Sequence, residues 1–230
     1  TKEKRISTLV DLGCGTGELT KKMHNKFSAG YTIGIDSSAQ MLERSTQFEG
    51  VAGLEFKQQE ISDFLEQTIQ QGKKFDLVFS NAALQWVEDH PSLFAKLIRI
   101  MDKEGQLAVQ MPTNEDHVSH TTVAEIAAEP PFSTILKGFN RYRFPTLKLE
   151  HYATLFHQLG LTNVRAKIEV FSHLLEGREE VVEWVKGTYL TAFKERMSEA
   201  NFAHFLSAYQ ERLFQKIANE RPFLYTYKRI

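Results

Sequence analysis

The chain has 230 residues, 42% of them hydrophobic and 25% charged, the proportions of an ordinary globular protein, which excludes disordered, collagen-like and coiled-coil classes. With 28 basic against 29 acidic residues it carries a formal charge of −1, so no general positive field gathers phosphates and no nucleic-acid partner is expected. The single cysteine, Cys14, can close no intramolecular disulfide, and no apolar run approaches the ~18 residues of a membrane span, so a cytoplasmic protein without membrane association is expected.

The first half alternates short apolar, β-branched runs with helical patterns. Thr8 to Leu12 reads as a buried strand, followed by a glycine turn and a helix from about Gly17 to Phe27. A second strand covers Tyr31 to Ile35; Ser37 and Ser38 then cap a helix carrying Met41, Leu42 and Phe48. Leu54 to Phe56 forms a third strand, Phe75 to Phe79 a fourth and Gln106 to Gln110 a fifth, with a helix from Pro91 to Met101 between the last two. This alternation predicts an α/β fold with a doubly wound, parallel-rich sheet.

After Pro112 the rhythm changes. Residues 113–145 contain no convincing strand and read as a cap inserted over the end of the fifth strand. A helix over Leu149 to Leu159 stops at Gly160, and a strand follows around Val164 to Phe171. Phe202, Phe205, Leu206, Tyr209, Leu213 and Ile217 recur at helical spacing, and a last β-rich run spans Phe223 to Ile230 as a C-terminal antiparallel strand. The expected organisation is a single domain, with a cofactor-binding half over 1–112, an acceptor-side half over 113–230, and helical caps near 113–147 and 174–220.

The strongest chemical signal is Asp11-Leu12-Gly13-Cys14-Gly15-Thr16-Gly17, a strand running through alternating glycines into a helix. Such a turn lets a ligand approach the backbone at a strand tip. Counted from Gly13, however, the third position of a dinucleotide fingerprint is Glu18, and no Gly-Lys-Ser/Thr follows for a phosphate loop. A negative residue opening the helix disfavours polyphosphates. Asp36 ends the second strand where doubly wound folds place a carboxylate that accepts from ribose hydroxyls; a helix-capping role beside Ser37 is its alternative. A nucleoside-reading acid beside a turn without phosphate chemistry points to S-adenosylmethionine.

Together with the stretch Phe75 to Trp86, these residues resemble the class I S-adenosylmethionine-dependent methyltransferases, which have a Rossmann-like fold. Leu84-Gln85-Trp86, Asp89-His90, Leu107 to Pro112 and Glu183 to Thr188 look most like the trans-aconitate methyltransferases, with the malonyl-acyl-carrier-protein methyltransferases of biotin synthesis as close relatives. The resemblance implies that Gly13, Gly15 and Gly17 line the methionine end with Asp11 near the ammonium group, that Asp36 binds the ribose flanked by Ser37 and Met41, and that Asn81 lies beside the sulfonium. Glu60-Ile61 stands where the family usually has Asp followed by an apolar residue, so Glu60 is the candidate partner of the adenine amino group. The resemblance also implies helices before the first strand and a last strand that continues beyond Ile230.

Acceptor-side candidates are Trp86 and His90, Arg141 and Arg143 in a basic stretch of the cap, and Tyr152, with Trp184 to Lys186 as further wall residues. Guanidinium forks suit carboxylates, whereas a solvated face is the bland reading of that stretch. His117 and His120, with Glu115 and Asp116, read as a solvated loop, and no metal is expected. The expected reaction is methylation of a carboxylate of a small polycarboxylic acid to its ester, with no general base because the acceptor is already ionised. An acidic acyl carrier protein is the alternative acceptor, and a cofactor-binding regulatory protein without turnover the alternative of another class.

Overall fold

The computed structural model describes residues 5–139 and 146–230, and the chain divides into two compact units. The first holds the chain up to Met111, residues 146–167 and Ile230; the second holds 112–139 and 168–229. Residues 146–167 thus fall in the first unit.

In the first unit, β1 (Thr8–Leu12), β2 (Tyr31–Asp36), β3 (Leu54–Gln58), β4 (Phe75–Asn81) and β5 (Met101–Gln110) form one sheet in the order β3-β2-β1-β4-β5. Every pairing is parallel. Parallel strands covered on both faces require continuous apolar runs, and Leu9, Val10 and Leu12 of β1 are accordingly inaccessible to solvent. The strand order reverses between β1 and β4, and in such sheets ligands bind in the crevice that opens at the carboxyl ends of the strands there.

The helices of this unit are α1 (Glu18–Phe27), α2 (Ala39–Leu42), α3 (Ile61–Gln70), α4 (His90–Arg99) and, after the second unit is entered and left, α7 (Leu149–Gln158). The Ser38 hydroxyl caps α2 by accepting from Met41 N–H at 3.3 Å, and the chain then tightens into a 3-10 turn over Glu43–Phe48. Helix α3 has no counterpart among the predicted elements, although Ile61, Phe64, Leu65, Thr68 and Ile69 fall on one helical face. Strand β5 starts at Met101, earlier than predicted: Met101 pairs with Phe75, the register then breaks, and pairing resumes at Gln106 opposite Leu77. The intervening Asp-Lys-Glu-Gly stretch has no strand pattern, which hid the first half.

The second unit contains α5 (Val118–Ala128), α6 (Phe132–Ile135), α8 (Glu179–Lys186), α9 (Thr191–Lys194) and α10 (Glu199–Lys216). Its core gathers Val123, Phe132, Val185, Phe193, Phe205 and Tyr209. The last strand, β7 (Phe223–Arg229), does not join the parallel sheet but pairs antiparallel with β6 (Glu169–Leu175) in a separate two-stranded sheet. The strand predicted at Val164 to Phe171 is thus displaced toward the C-terminus, because its register, Glu169 opposite Arg229 through Leu175 opposite Phe223, is set by β7. Among the described residues no helix is long and apolar enough to cross a membrane.

Candidate functional site

The loop leaving β1 is shaped by hydrogen bonds to the end of β2. Gly13 and Cys14 N–H both donate to the Ile35 carbonyl, at 2.7 and 2.9 Å. The Asp36 carboxylate accepts from Gly15 N–H at 2.8 Å through one oxygen and from Ser38 N–H at 2.9 Å through the other. Each carboxylate oxygen has a second lone pair, so Asp36 can order the loop and still accept from a ligand hydroxyl. The capping role itself falls to Ser38.

Below the loop, Asp11 is 2% exposed and accepts from the Thr20 hydroxyl of α1 at 2.5 Å. Burial pushes its carboxyl up to about 7; the Thr20 hydrogen bond opposes the shift and the neighbouring Asp36 charge adds to it. Across the switch point the Ser80 hydroxyl donates to the Leu12 carbonyl at 2.7 Å, which stitches β4 to β1 just before Asn81 ends the strand.

These elements enclose a cavity of about 600 Å³, within the range of small-molecule sites. Of the sequence-predicted cofactor residues it brings together Asp11, Gly13, Gly15, Asp36, Ser37, Met41, Glu60, Ile61 and Asn81, and Trp86 joins them. Cys14, Thr16, Leu19, Ser38, Ser62, Ala82, Ala83 and Val87 also line it. Glycine spacing could have implicated Cys14 and Thr16, which lie inside the turn; nothing local marks Val87. Leu19, Met41 and Trp86 are large, exposed hydrophobic residues, and Trp86 is 58% exposed. Such side chains at a cavity mouth suit the covering of an apolar or aromatic ligand face.

Gly17 is not among the lining residues. It precedes α1 with φ 78°, and a Cβ there would stand 2.6 Å from the Phe56 ring, so its smallness serves packing between α1 and β3.

His90 and Tyr152 also lie off the cavity. His90, 1% exposed, donates from Nε2 to the Leu84 carbonyl at 3.0 Å, which leaves Nδ1 to accept from the Tyr152 hydroxyl; that hydroxyl in turn accepts from Leu147 N–H at 3.0 Å. Phe94 packs edge-on to both rings. Burial, its largest cause, lowers the His90 pKa below the ordinary imidazole range, as a neutral core histidine requires. Arg141 and Arg143 lie outside the described residues.

In the second unit, His117 and His120 are not in a solvated loop. His117 caps α5, and the fully buried Ser119 hydroxyl sits 2.8 Å from His117 Nδ1 and 3.0 Å from His120 Nδ1, with the Tyr225 hydroxyl at 3.4 Å. Trp184 packs against Tyr225, Tyr227 and His173. Asp116 instead pairs with Lys228 Nζ at 2.5 Å. No group of three or more potential metal ligands occurs among the described residues.

A family model described as a methyltransferase domain matches residues 3–176. The trans-aconitate 2-methyltransferase of Deinococcus radiodurans is 37% identical, over 99% of this chain and 86% of that enzyme. Among solved structures, the YcgJ protein of Bacillus subtilis superposes with a TM-score of 0.60 at 14% identity, covering 100% of this chain and 91% of that one. The plantazolicin methyltransferase BpumL, solved in complex with SAH, gives a TM-score of 0.50 at 15% identity, covering 100% and 77%.

Proposed function

From the premise that the chain belongs to the methyltransferase-domain family and is an S-adenosylmethionine-dependent methyltransferase, we propose that its acceptor is a small polycarboxylic acid of the trans-aconitate type, methylated on one carboxylate oxygen. The observation that carries the cofactor assignment into this site is the charge of the cavity. Its lining includes three carboxylates, Asp11, Asp36 and Glu60, and no Lys, Arg or His among the described residues. Such a pocket repels polyphosphates and attracts a cation, and S-adenosylmethionine is a nucleoside bearing an ammonium and a sulfonium but no phosphate.

In this reading Asp36 accepts from the ribose hydroxyls with the lone pairs left free by Gly15 and Ser38. Glu60, which precedes α3 and makes no capping hydrogen bond of its own there, offers its carboxylate to the adenine amino group, and Ile61 and Met41 offer apolar contact to the base. Asp11 pairs with the ammonium, and the glycine loop allows the methionine chain to lie against the backbone. When bound, the cofactor supplies an electrophilic methyl group. An acceptor carboxylate of pKa about 4 is already a nucleophile at neutral pH, so the chain's task is to align it and exclude water, not to remove a proton. The buried, doubly bonded His90 agrees with that division of labour.

The similarity to the trans-aconitate 2-methyltransferase, which spans 99% of this chain, favours the small acid over an acyl carrier protein. Incubation with methyl-labelled S-adenosylmethionine and a panel of free di- and tricarboxylic acids, beside a malonylated carrier protein, tests the reading by mass spectrometry. A labelled monomethyl ester of trans-aconitate is expected. Labelling of the carrier protein alone would replace the proposal.

A further inference from the structure

We propose that Gln85 is a positioning residue for methyl transfer, its side-chain amide holding the left-handed turn at the tip of β4 on which Asn81 and Ala83 reach the cavity. The proposal rests on the methyltransferase reading of that cavity.

After Asn81 the chain turns through Ala82 with φ 57°, a conformation residues bearing a Cβ rarely adopt. Both of its backbone polar groups are tied. Ala82 N–H donates to the Gln110 carbonyl of β5 at 2.8 Å, and the Ala82 carbonyl accepts from Gln85 Nε2 at 2.7 Å. The turn also has to fit the glycine loop closely: a Cβ built on Gly13 would stand 2.1 Å from the Ala83 Cβ, so Ala83 occupies the space Gly13 leaves open. The following turn, Leu84–Trp86, is anchored in the core by the His90 hydrogen bond to the Leu84 carbonyl. Gln85 thus spans between that anchored turn and the strained residue.

The side chain is a costly choice if packing were its only role. Gln85 is 6% exposed, and its Oε1 has no hydrogen-bond partner among the described residues. A buried acceptor left unsatisfied is destabilising, and leucine or methionine would fill a similar volume without it. What glutamine supplies and they cannot is the Nε2 donor to Ala82. Asn81, Ala82, Ala83 and Trp86 line the cavity whereas Gln85 does not, so its influence on the reaction passes through the residues it holds.

The test compares wild type with Gln85→Leu, and with Gln85→Met as a second packing variant, by three readouts. These are turnover at saturating acid and cofactor, S-adenosylhomocysteine affinity by calorimetry, and hydrogen exchange at the Ala82 amide in the ligand-free protein. Expected for either variant are a melting temperature no lower than wild type, turnover reduced about tenfold or more, affinity changed less than about threefold, and Ala82 exchange accelerated about tenfold. Adding Ala82→Gly, for which positive φ is free of strain, to Gln85→Leu should recover turnover about threefold or more. Turnover within about twofold of wild type with unchanged exchange would overturn the proposal. So would loss of folding in both variants, or lost turnover that Ala82→Gly does not recover, since glutamine would then be needed for folding or act elsewhere. A wild type that esterifies no acid would refute the functional reading, and Ala82 exchange would still decide whether Gln85 holds the turn.

Discussion

Asp36 and Gly15 are joined by a hydrogen bond of 2.8 Å, so the acid expected to read a ribose also fixes the loop expected to hold the methionine end. Substitution there strikes folding and binding together, and the two can be separated. Asp36→Asn retains one oxygen acceptor for a backbone N–H, whereas Asp36→Ala retains none. Hydrogen bonds to charged groups contribute about 1.5–3 kcal/mol each, so S-adenosylhomocysteine affinity should fall about tenfold or more in both variants. The melting temperature should fall further in Asp36→Ala than in Asp36→Asn, which keeps one of the two backbone hydrogen bonds. Calorimetric affinity within about twofold of wild type in Asp36→Ala would remove Asp36 from the site.

Two glycines of one loop should fail in different ways. Among the described residues a Cβ on Gly15 would meet only the Met41 terminal methyl, at 3.8 Å, leaving a backbone cost of about 1–2 kcal/mol for its φ of 57°. A Cβ on Gly17 would meet Phe56 Cε1 at 2.6 Å and Ser45 Cβ at 3.1 Å, which adds overpacking of about 1–3 kcal/mol to a similar backbone term. Gly17→Ala should therefore show the larger drop in melting temperature, and Gly15→Ala the larger loss of cofactor affinity relative to its stability. Equal stability losses in thermal denaturation would contradict this division.

What could be read from the sequence was local. The glycine turn and Asp36 carry their chemistry within one strand–turn–helix each; their cavity neighbours Ser37 and Asn81 sit at strand tips that the apolar runs already delimit, and Met41 follows in the short helix after β2. Helix α3 went unread although its apolar positions, Ile61, Phe64, Leu65 and Ile69, follow the helical period and its polar residues fall between them. Other features depend on distant partners. The His90–Tyr152 pair joins positions 62 residues apart, and the register of β6 is set by a strand some fifty residues later. Nor does any motif show that a Cβ on Gly17 would meet the Phe56 ring, because that proximity exists only once β3 is packed beside α1.

The His90–Tyr152 pair predicts a stability defect without a kinetic one. Tyr152→Phe keeps the ring against Phe94 and Phe156 but removes the hydroxyl that serves His90 Nδ1 and Leu147 N–H. Leaving such groups unsatisfied costs about 1–3 kcal/mol, roughly 2–10 °C in melting temperature for a chain of this size. Turnover per folded molecule and the acceptor Michaelis constant should stay near wild type when measured well below the transition. A large rise in that Michaelis constant with unchanged melting temperature would return Tyr152 to the acceptor wall.

The ionisation of Asp11 gives a pH dependence with a definite sign. Its folded carboxyl stands at about 7, raised first by burial, with Asp36 adding repulsion and Thr20 opposing. A carboxyl raised on folding adds stability in full below its unfolded pKa near ~4, and that contribution is lost as pH rises through the folded value. The ligand-free protein should thus lose thermal stability from this group between about pH 4 and 7. Binding of an ammonium ligand has the opposite sign, since it needs the ionised form. S-adenosylhomocysteine affinity should rise by up to about tenfold per pH unit below pH 7 and flatten above it, as long as the ligand's own α-amine stays protonated. Asp11→Asn should abolish the rising limb. Thr20→Val, which removes the hydroxyl that favours the charged form, should move the limb to higher pH, whereas Thr20→Ser should leave it in place. Calorimetric titrations from about pH 5.5 to 8 decide it: an unchanged limb in Asp11→Asn would show that Asp11 is not the ammonium's partner, and a flat wild-type profile would show that burial does not raise its carboxyl into this range.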